Sequence, residues 1–207
     1  MTEPQPAEIQ LLDWRRRVFE LYADVRGAQD PDRAWRQWRE ARDELFARHP
    51  QSPLPEWERS RFNGLPYFDY DDRYRVLADV VAADPETYDI ATSGEDGGSY
   101  RFTRFAVARF TLAGQPLDLE LYWLEGYGGG AFLPFRDATS GKSTYGAGRY
   151  LLDTVKGADL GMEGDRLVLD FNFAYNPSCA YDPRWVCPLA PPPNRVAVSI
   201  ESGERYG

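Results

Sequence analysis

The plainest strand signature in the chain is YRFTRFAVARFTLAGQPLDLELYWL, residues 100–124. Phe102, Arg104, Ala106, Ala108 and Phe110 alternate with Thr103, Phe105, Val107 and Arg109, a period of two that belongs to strands and not to helices. Both sets contain apolar side chains, so the strand is expected to be covered on both sides for much of its length. Ala113-Gly114-Gln115 then turns the chain tightly. On the return strand Leu117, Leu119, Leu121 and Trp123 are expected to point inward, and Asp118, Glu120 and Tyr122 outward.

The same period predicts strands at 74–81 and 87–91 before this hairpin, and at 131–135, 148–152, 166–173 and 195–202 after it. With the two strands of the hairpin these make about eight, joined by short glycine-rich links, which reads as an antiparallel barrel or sandwich. The alternation of strand and crossover helix that a parallel sheet requires is absent from the sequence. The N-terminal part has the helical period instead. Leu11, Trp14, Val18, Leu21 and Val25 share one face of a helix over 8–26, which Gly27 ends. Asp30-Pro31 starts a second helix with an N-cap and a first-turn proline, and its apolar face is Ala34, Trp35, Trp38, Ala41, Leu45 and Phe46. His49-Pro50 breaks it, and a short helix is expected over 56–62. The expected class is α+β: N-terminal amphipathic helices (1–64) packed on an antiparallel, barrel-like β-sheet of about eight strands (65–207), forming one compact unit.

A chain of 207 residues that is 43% hydrophobic can bury a full core. Its net charge of -9 repels phosphate backbones and anionic lipid, so neither nucleic acid nor a membrane is an expected partner. The run Arg15-Arg16-Arg17 is read as part of a solvated helix face. Met1 to Pro6 lacks a basic region followed by an apolar run, so no secretory signal is expected and the chain reads as cytoplasmic. A Cys179–Cys187 bridge is allowed by spacing but disfavoured in a reducing compartment.

Several familiar motifs fail on context. Gly141-Lys142-Ser143-Thr144 looks like the tail of a P-loop, but the position five before Gly141 is Arg136, and a strand follows where a helix is needed. The glycines of 126–130 also precede a strand, whereas a dinucleotide fingerprint must open a helix. One histidine, His49, and two cysteines give no converging ligand set, so neither a metal nor a cofactor is expected. His49 is read as a last-turn partner of the helix dipole. Among carboxylates at strand ends are Asp137, Asp170 and Glu204, read first as turn formers or arginine partners, with acid–base work as the alternative.

What remains is a polar set in aromatic surroundings. Arg136 and Arg149 offer planar forks for a carboxylate or phosphate, and Ser140, Tyr145, Asn172, Tyr175 and Asn176 lie beside them or at the end of a strand. These seven are the candidate ligand-binding residues. The competing structural reading is a hydrogen-bonded clasp that pins two loops to the sheet.

The pattern Phe132-Leu133-Pro134-Phe135-Arg136-Asp137, Thr139-Ser140-Gly141, Thr144-Tyr145-Gly146 and Gly148-Arg149-Tyr150 resembles the domain of unknown function 1684, a bacterial and archaeal family. So do Leu169-Asp170-Phe171-Asn172, Ala174-Tyr175-Asn176-Pro177, Cys179-Ala180-Tyr181, Cys187-Pro188-Leu189 and Gly203-Glu204. The resemblance extends back through Phe62, Gly64-Leu65 and Tyr67-Phe68 to Trp38, Arg42-Asp43, Phe46, His49-Pro50 and Ser52-Pro53-Leu54. It implies no reaction, but it makes the polar stretches the family signature. Three functions are therefore weighed. The first is binding of a small organic molecule, with an anionic group suggested by two arginines in one segment. The second is a hydrolase or lyase using Asp137, Tyr145 or Glu204 as acid or base, with Arg149 holding developing charge. The third is a protein-interaction module in which the polar signature is structural.

Overall fold

In a computed structural model, which describes residues 5–93 and 98–206, the chain is α+β with a single seven-stranded sheet. Two helices, α1 (Ala7–Gly27) and α2 (Pro31–Arg48), and a single turn, α3 (Glu56–Arg59), precede all the strands. The strands are β1 (Arg75–Ala91), β2 (Ser99–Leu112), β3 (Gln115–Leu124), β4 (Gly130–Phe135), β5 (Arg149–Asp153), β6 (Met162–Glu163) and β7 (Arg166–Asp170). Their order is β5-β4-β3-β2-β1-β7-β6, and every pairing is antiparallel. β5 and β6 are edges, so the sheet is open; the expected barrel and the count of eight are corrected. No described helix is long and apolar enough to cross a membrane.

The count changes for three local reasons. The strands expected at 74–81 and 87–91 are one, because a register shift between Ala82 and Glu86 absorbs Pro85 without ending the pairing with β2. The two-residue β6, too short to show a period, pairs with β7. Residues 195–202 form no strand, because their backbone is satisfied irregularly: Val196 N–H donates to the Arg136 carbonyl, and the Val198 carbonyl accepts from Ala138 N–H. The hairpin after β2 is a two-residue turn with Ala113 at φ 50° and Gly114 at φ 75°, the double positive φ that matches the twist of its strands.

The bulges also decide what is buried. Between Arg104 and Ala106 the β2–β3 register slips by one residue. Phe102 and Tyr122 consequently pack into a helix-facing core with Trp35, Trp38, Phe46, Tyr67, Phe132 and Tyr150. Ala106, Ala108, Phe110 and Leu121 pack into a separate core with Leu133, Phe135, Leu151, Leu169 and Ile200. Similar slips occur in β1 and between Leu133 and Pro134 of β4. With these slips β1, β2 and β3 each serve one core at one end and the other core at the other end. This replaces the simple alternation expected for β3: Trp123 is exposed and Tyr122 fully buried. Coverage of β2 is likewise divided along its length, since Phe105 on its odd-numbered face is exposed.

The helices fit the predicted pattern except at one end. On α2, Ala34, Trp35, Trp38, Leu45 and Phe46 are buried, and the Asp30 side chain caps Arg33 N–H. On α1 the fully buried residue is Tyr22, flanked by the partly buried Trp14, Val18, Leu21 and Val25, while Leu11 is exposed. His49 ends α2; its Nδ1 accepts from Gln51 N–H, so Nε2 carries the proton toward Asp13 at 3.2 Å.

Candidate functional site

The signature residues occupy three neighbouring arrangements. In the first, Arg149 at the start of β5 is 1% exposed and donates from Nη2 to Asp137 (3.4 Å) and to the Ile200 carbonyl (3.0 Å), and from Nη1 to the Ser202 carbonyl. Burial lowers its pKa to about 10, which leaves it charged at neutral pH. The Asp137 carboxylate is fully engaged: Oδ2 accepts from Thr139 N–H, Thr139 Oγ1 and Ile200 N–H, and Oδ1 from Ser140 Oγ and Arg149. Gly148 makes the approach possible, because at φ 101° an added Cβ would lie 2.5 Å from the Phe135 carbonyl oxygen. Arg136 contributes its backbone here, donating to the Asn194 carbonyl at 2.8 Å. The GKST segment is a turn between β4 and β5, closed by Gly141 N–H donating to the Thr144 carbonyl.

A second arrangement ties the end of β7 to the C-terminal segment. Asn172 is completely buried: its Nδ2 donates to the Asp71 carbonyl and to Asp170 Oδ1, and its Oδ1 accepts from Asp71 N–H and Ser202 Oγ. Burial raises the Asp170 carboxyl to about 6, against the opposing effects of Asn172 and Arg75. Asp170 and Arg75 line a cleft of about 140 Å³, whose other charged residues include Arg26 and Glu163.

The third arrangement lies between the helices and the sheet. Glu204, 0% exposed, accepts from Arg42 Nη2 (2.9 Å) and Asn176 N–H (3.0 Å) on Oε2, and from the Tyr181 hydroxyl on Oε1. Burial pushes its carboxyl above the ordinary glutamate value, opposed by Arg42 and these hydrogen bonds. The Arg42 guanidinium lies 4.8 to 5.2 Å from the ring centres of Trp38, Phe46 and Tyr175. Beside it is a cavity of about 70 Å³, walled by Trp14, Phe46, Tyr150, Tyr175 and Tyr181 and reached by Tyr22, Arg42, Lys156 and Asn176. Two buried polar atoms on this wall, the Tyr22 hydroxyl and Asn176 Oδ1, have no hydrogen-bond partner of ordinary geometry among the described residues, although the Trp38 indole N–H lies near the Tyr22 hydroxyl.

Of the nine candidates, only Tyr175 and Asn176 line that cavity, with Glu204 bracing it from behind through Arg42. Arg149, Asp137 and Ser140 bond to one another, and Asn172 belongs to the second arrangement. Tyr145 stands elsewhere, its hydroxyl donating to Cys179 Sγ at 3.8 Å. Sequence reasoning missed Tyr22, Arg42 and Lys156 as site residues. Tyr22, four residues after Val18, lies on the apolar face of α1 and so reads as an ordinary core residue, and Lys156 lies within a turn that carries no periodic signal.

The solution NMR structure of an uncharacterized protein from Haloarcula marismortui superposes with a TM-score of 0.59 at 38% identity, covering 82% of this chain and 91% of that one. No curated protein matches the chain. The profile described as "Protein of unknown function (DUF1684)" matches residues 60–205, so the similarity read from Trp38 to Leu54 lies outside the matched span. That span takes in every strand of the sheet, the first two polar arrangements and the Asn176, Tyr181 and Glu204 part of the third but not Arg42, and the chain belongs to the DUF1684 family.

Proposed function

We propose that the protein binds a small organic molecule in the cavity between α1, α2 and the sheet. The observation that carries this reading is the pair of unpartnered buried atoms on one cavity wall, the Tyr22 hydroxyl and Asn176 Oδ1. A buried polar group left unpaired costs on the order of 1–3 kcal/mol, so two beside one cavity are a reason to look for an occupant. The space exceeds the roughly 10–15 Å³ that one water requires, which admits several waters or one compact ligand. Asn176 Oδ1 calls for a ligand donor, and the Tyr22 hydroxyl can donate to a ligand acceptor. Arg42 and Lys156 reach the same cavity, and although Glu204 and Asp153 already pair with them, their remaining donors favour an acidic acceptor such as a carboxylate. The anionic preference therefore rests on these two residues and not on Arg136 and Arg149. The acid–base alternative is less favoured, because the oxygens of Asp137 and Glu204 are already occupied by donors of the protein.

The test is a thermal-shift screen of small hydroxy- and amino-carboxylates against the wild type and Tyr22→Phe. A ligand at 100 times its dissociation constant adds about 2.7 kcal/mol, or roughly 5–10 °C for a chain of this size. A hit whose shift shrinks in Tyr22→Phe supports the site. Equal shifts in both proteins, or none in either, would end the proposal.

A further inference from the structure

Cys179 and Cys187 meet next to the third arrangement: Ser178 lines its cavity, and Tyr150 of the cavity wall bonds to Pro188. Cys179 N–H donates to Cys187 Sγ at 3.4 Å, which places the second sulfur within reach of the first residue's own side chain. Cys187 is 3% exposed, whereas Cys179 is only partly buried and open to a small oxidant. Both thiols are free. Three other contacts fix the geometry. The Tyr145 hydroxyl points at Cys179 Sγ, Cys187 N–H donates to Ser93 Oγ at 3.0 Å, and Ser93 N–H donates to the Cys187 carbonyl at 3.0 Å. The strap carrying Cys187 is held to the end of β1 by the Thr92–Pro188 bridge, and to β5 by the Tyr150 hydroxyl, which donates to the Pro188 carbonyl.

We propose that this pair is a peroxide-reactive dithiol, with Cys179 as the attacking thiolate and Cys187 as the resolving thiol. The Cys179 thiolate attacks one oxygen of a hydroperoxide ROOH; the O–O bond breaks, RO⁻ leaves and takes a proton from solvent, and Cys179 becomes a sulfenic acid. Cys187 then gives up its proton and attacks Cys179 Sγ. The S–O bond breaks, and hydroxide leaves with that proton as water. In sum, two thiols and ROOH give a disulfide, ROH and H₂O. The roles follow from the environments. Cys179 is the more exposed of the two, and hydrogen bonds from Cys187, then Ser93 and Tyr145, lower it to about 6 despite burial, which favours its thiolate. The bond to Cys179 and burial raise Cys187, which stays protonated until it resolves the intermediate.

The experiment treats the reduced full-length protein with hydrogen peroxide and follows intact mass, free thiol content and dimedone labelling. The wild type should lose two hydrogen atoms and both thiols, with monomer mass otherwise unchanged. Cys187→Ser should instead accumulate a dimedone adduct on Cys179, and Cys179→Ser, altered at the more exposed position, should form no intramolecular bond. Tyr145→Phe should move the pH midpoint of the reaction upward by about one unit, as loss of a donor to the thiolate requires. Retention of both thiols in the folded wild type, or oxidation only between chains, would overturn the proposal. So would dimedone labelling of Cys187 in place of Cys179.

Discussion

The two cores on opposite faces of one sheet solve the same burial problem with different materials. One is built from leucine, alanine and phenylalanine, and its associated pair, Arg149 and Asp137, meets donors and carbonyls at every side-chain polar atom except Arg149 Nε. The other is mostly aromatic and contains Tyr22 and Trp38, whose hydroxyl and indole N–H are buried without partners. Aliphatic side chains fill irregular volume without carrying polar atoms inside, whereas tyrosine and tryptophan bring one each. The aliphatic core is closed by a clasp with one unpartnered donor, Arg149 Nε, and the aromatic core has a cavity beside its unpartnered atoms. The expectation of a single polar site is thereby divided: Asp137, Ser140 and Arg149 hold the C-terminal segment, while Tyr175 and Asn176 face the cavity.

The strongest way to break this contrast is to remove the clasp. Arg149→Met strands the Asp137 carboxylate, with both side chains at most 1% exposed, and should cost about 3–5 kcal/mol in urea denaturation. A loss below about 1 kcal/mol would mean that the clasp does not hold the aliphatic core closed. A smaller, pH-dependent effect is expected at Asp170, which lies between the two cores. Because its carboxyl is raised to about 6 in the folded state, the native protein binds the extra proton between about pH 4 and 6. Its contribution therefore favours folding at acid pH and is lost as pH rises through about 6. Asp170→Asn keeps an oxygen for Asn172 and removes the buried charge. Relative to wild type, it should gain about 2–3 kcal/mol between pH 4 and pH 7; parallel stability curves would contradict the assignment.

The smallest effects compare two tyrosines within the aromatic core. Tyr22→Phe removes an unpartnered hydroxyl and should stabilise the empty protein by up to about 1 kcal/mol. Tyr150→Phe removes a donor to the Pro188 carbonyl and should destabilise it by a similar amount. Equal and unfavourable changes in thermal melts would show that Tyr22 already has a partner, and the cavity would lose its main argument.

Much of this was legible along the chain. The α2 stripe, the Ala113-Gly114 turn and the family signature from Phe132 to Tyr150 are local patterns, and a local pattern survives because neighbours in sequence remain neighbours in space. Periodicity also located the stretches that became β2, β3, β4, β5 and β7. It failed at Tyr122 and Trp123, because at that end of β3 the aromatic core covers the face of Tyr122 and leaves the face of Trp123 open, and no local pattern shows where coverage changes sides. It failed at 195–202, which looks like a strand but is bonded partly by the side chains of Asp137 and Arg149.

Helix and strand identity, charge and family membership could thus be read from the sequence, because each depends on composition, on spacing over a few positions or on a short string of residue types. The open edge of the sheet, the division into two cores, and the meetings of Arg42 with Glu204 and Tyr145 with Cys179 could not. Those contacts join residues separated by 162 and 34 positions. Such pairings are selected by the packing and desolvation of the whole molecule, and no short stretch of chain encodes them.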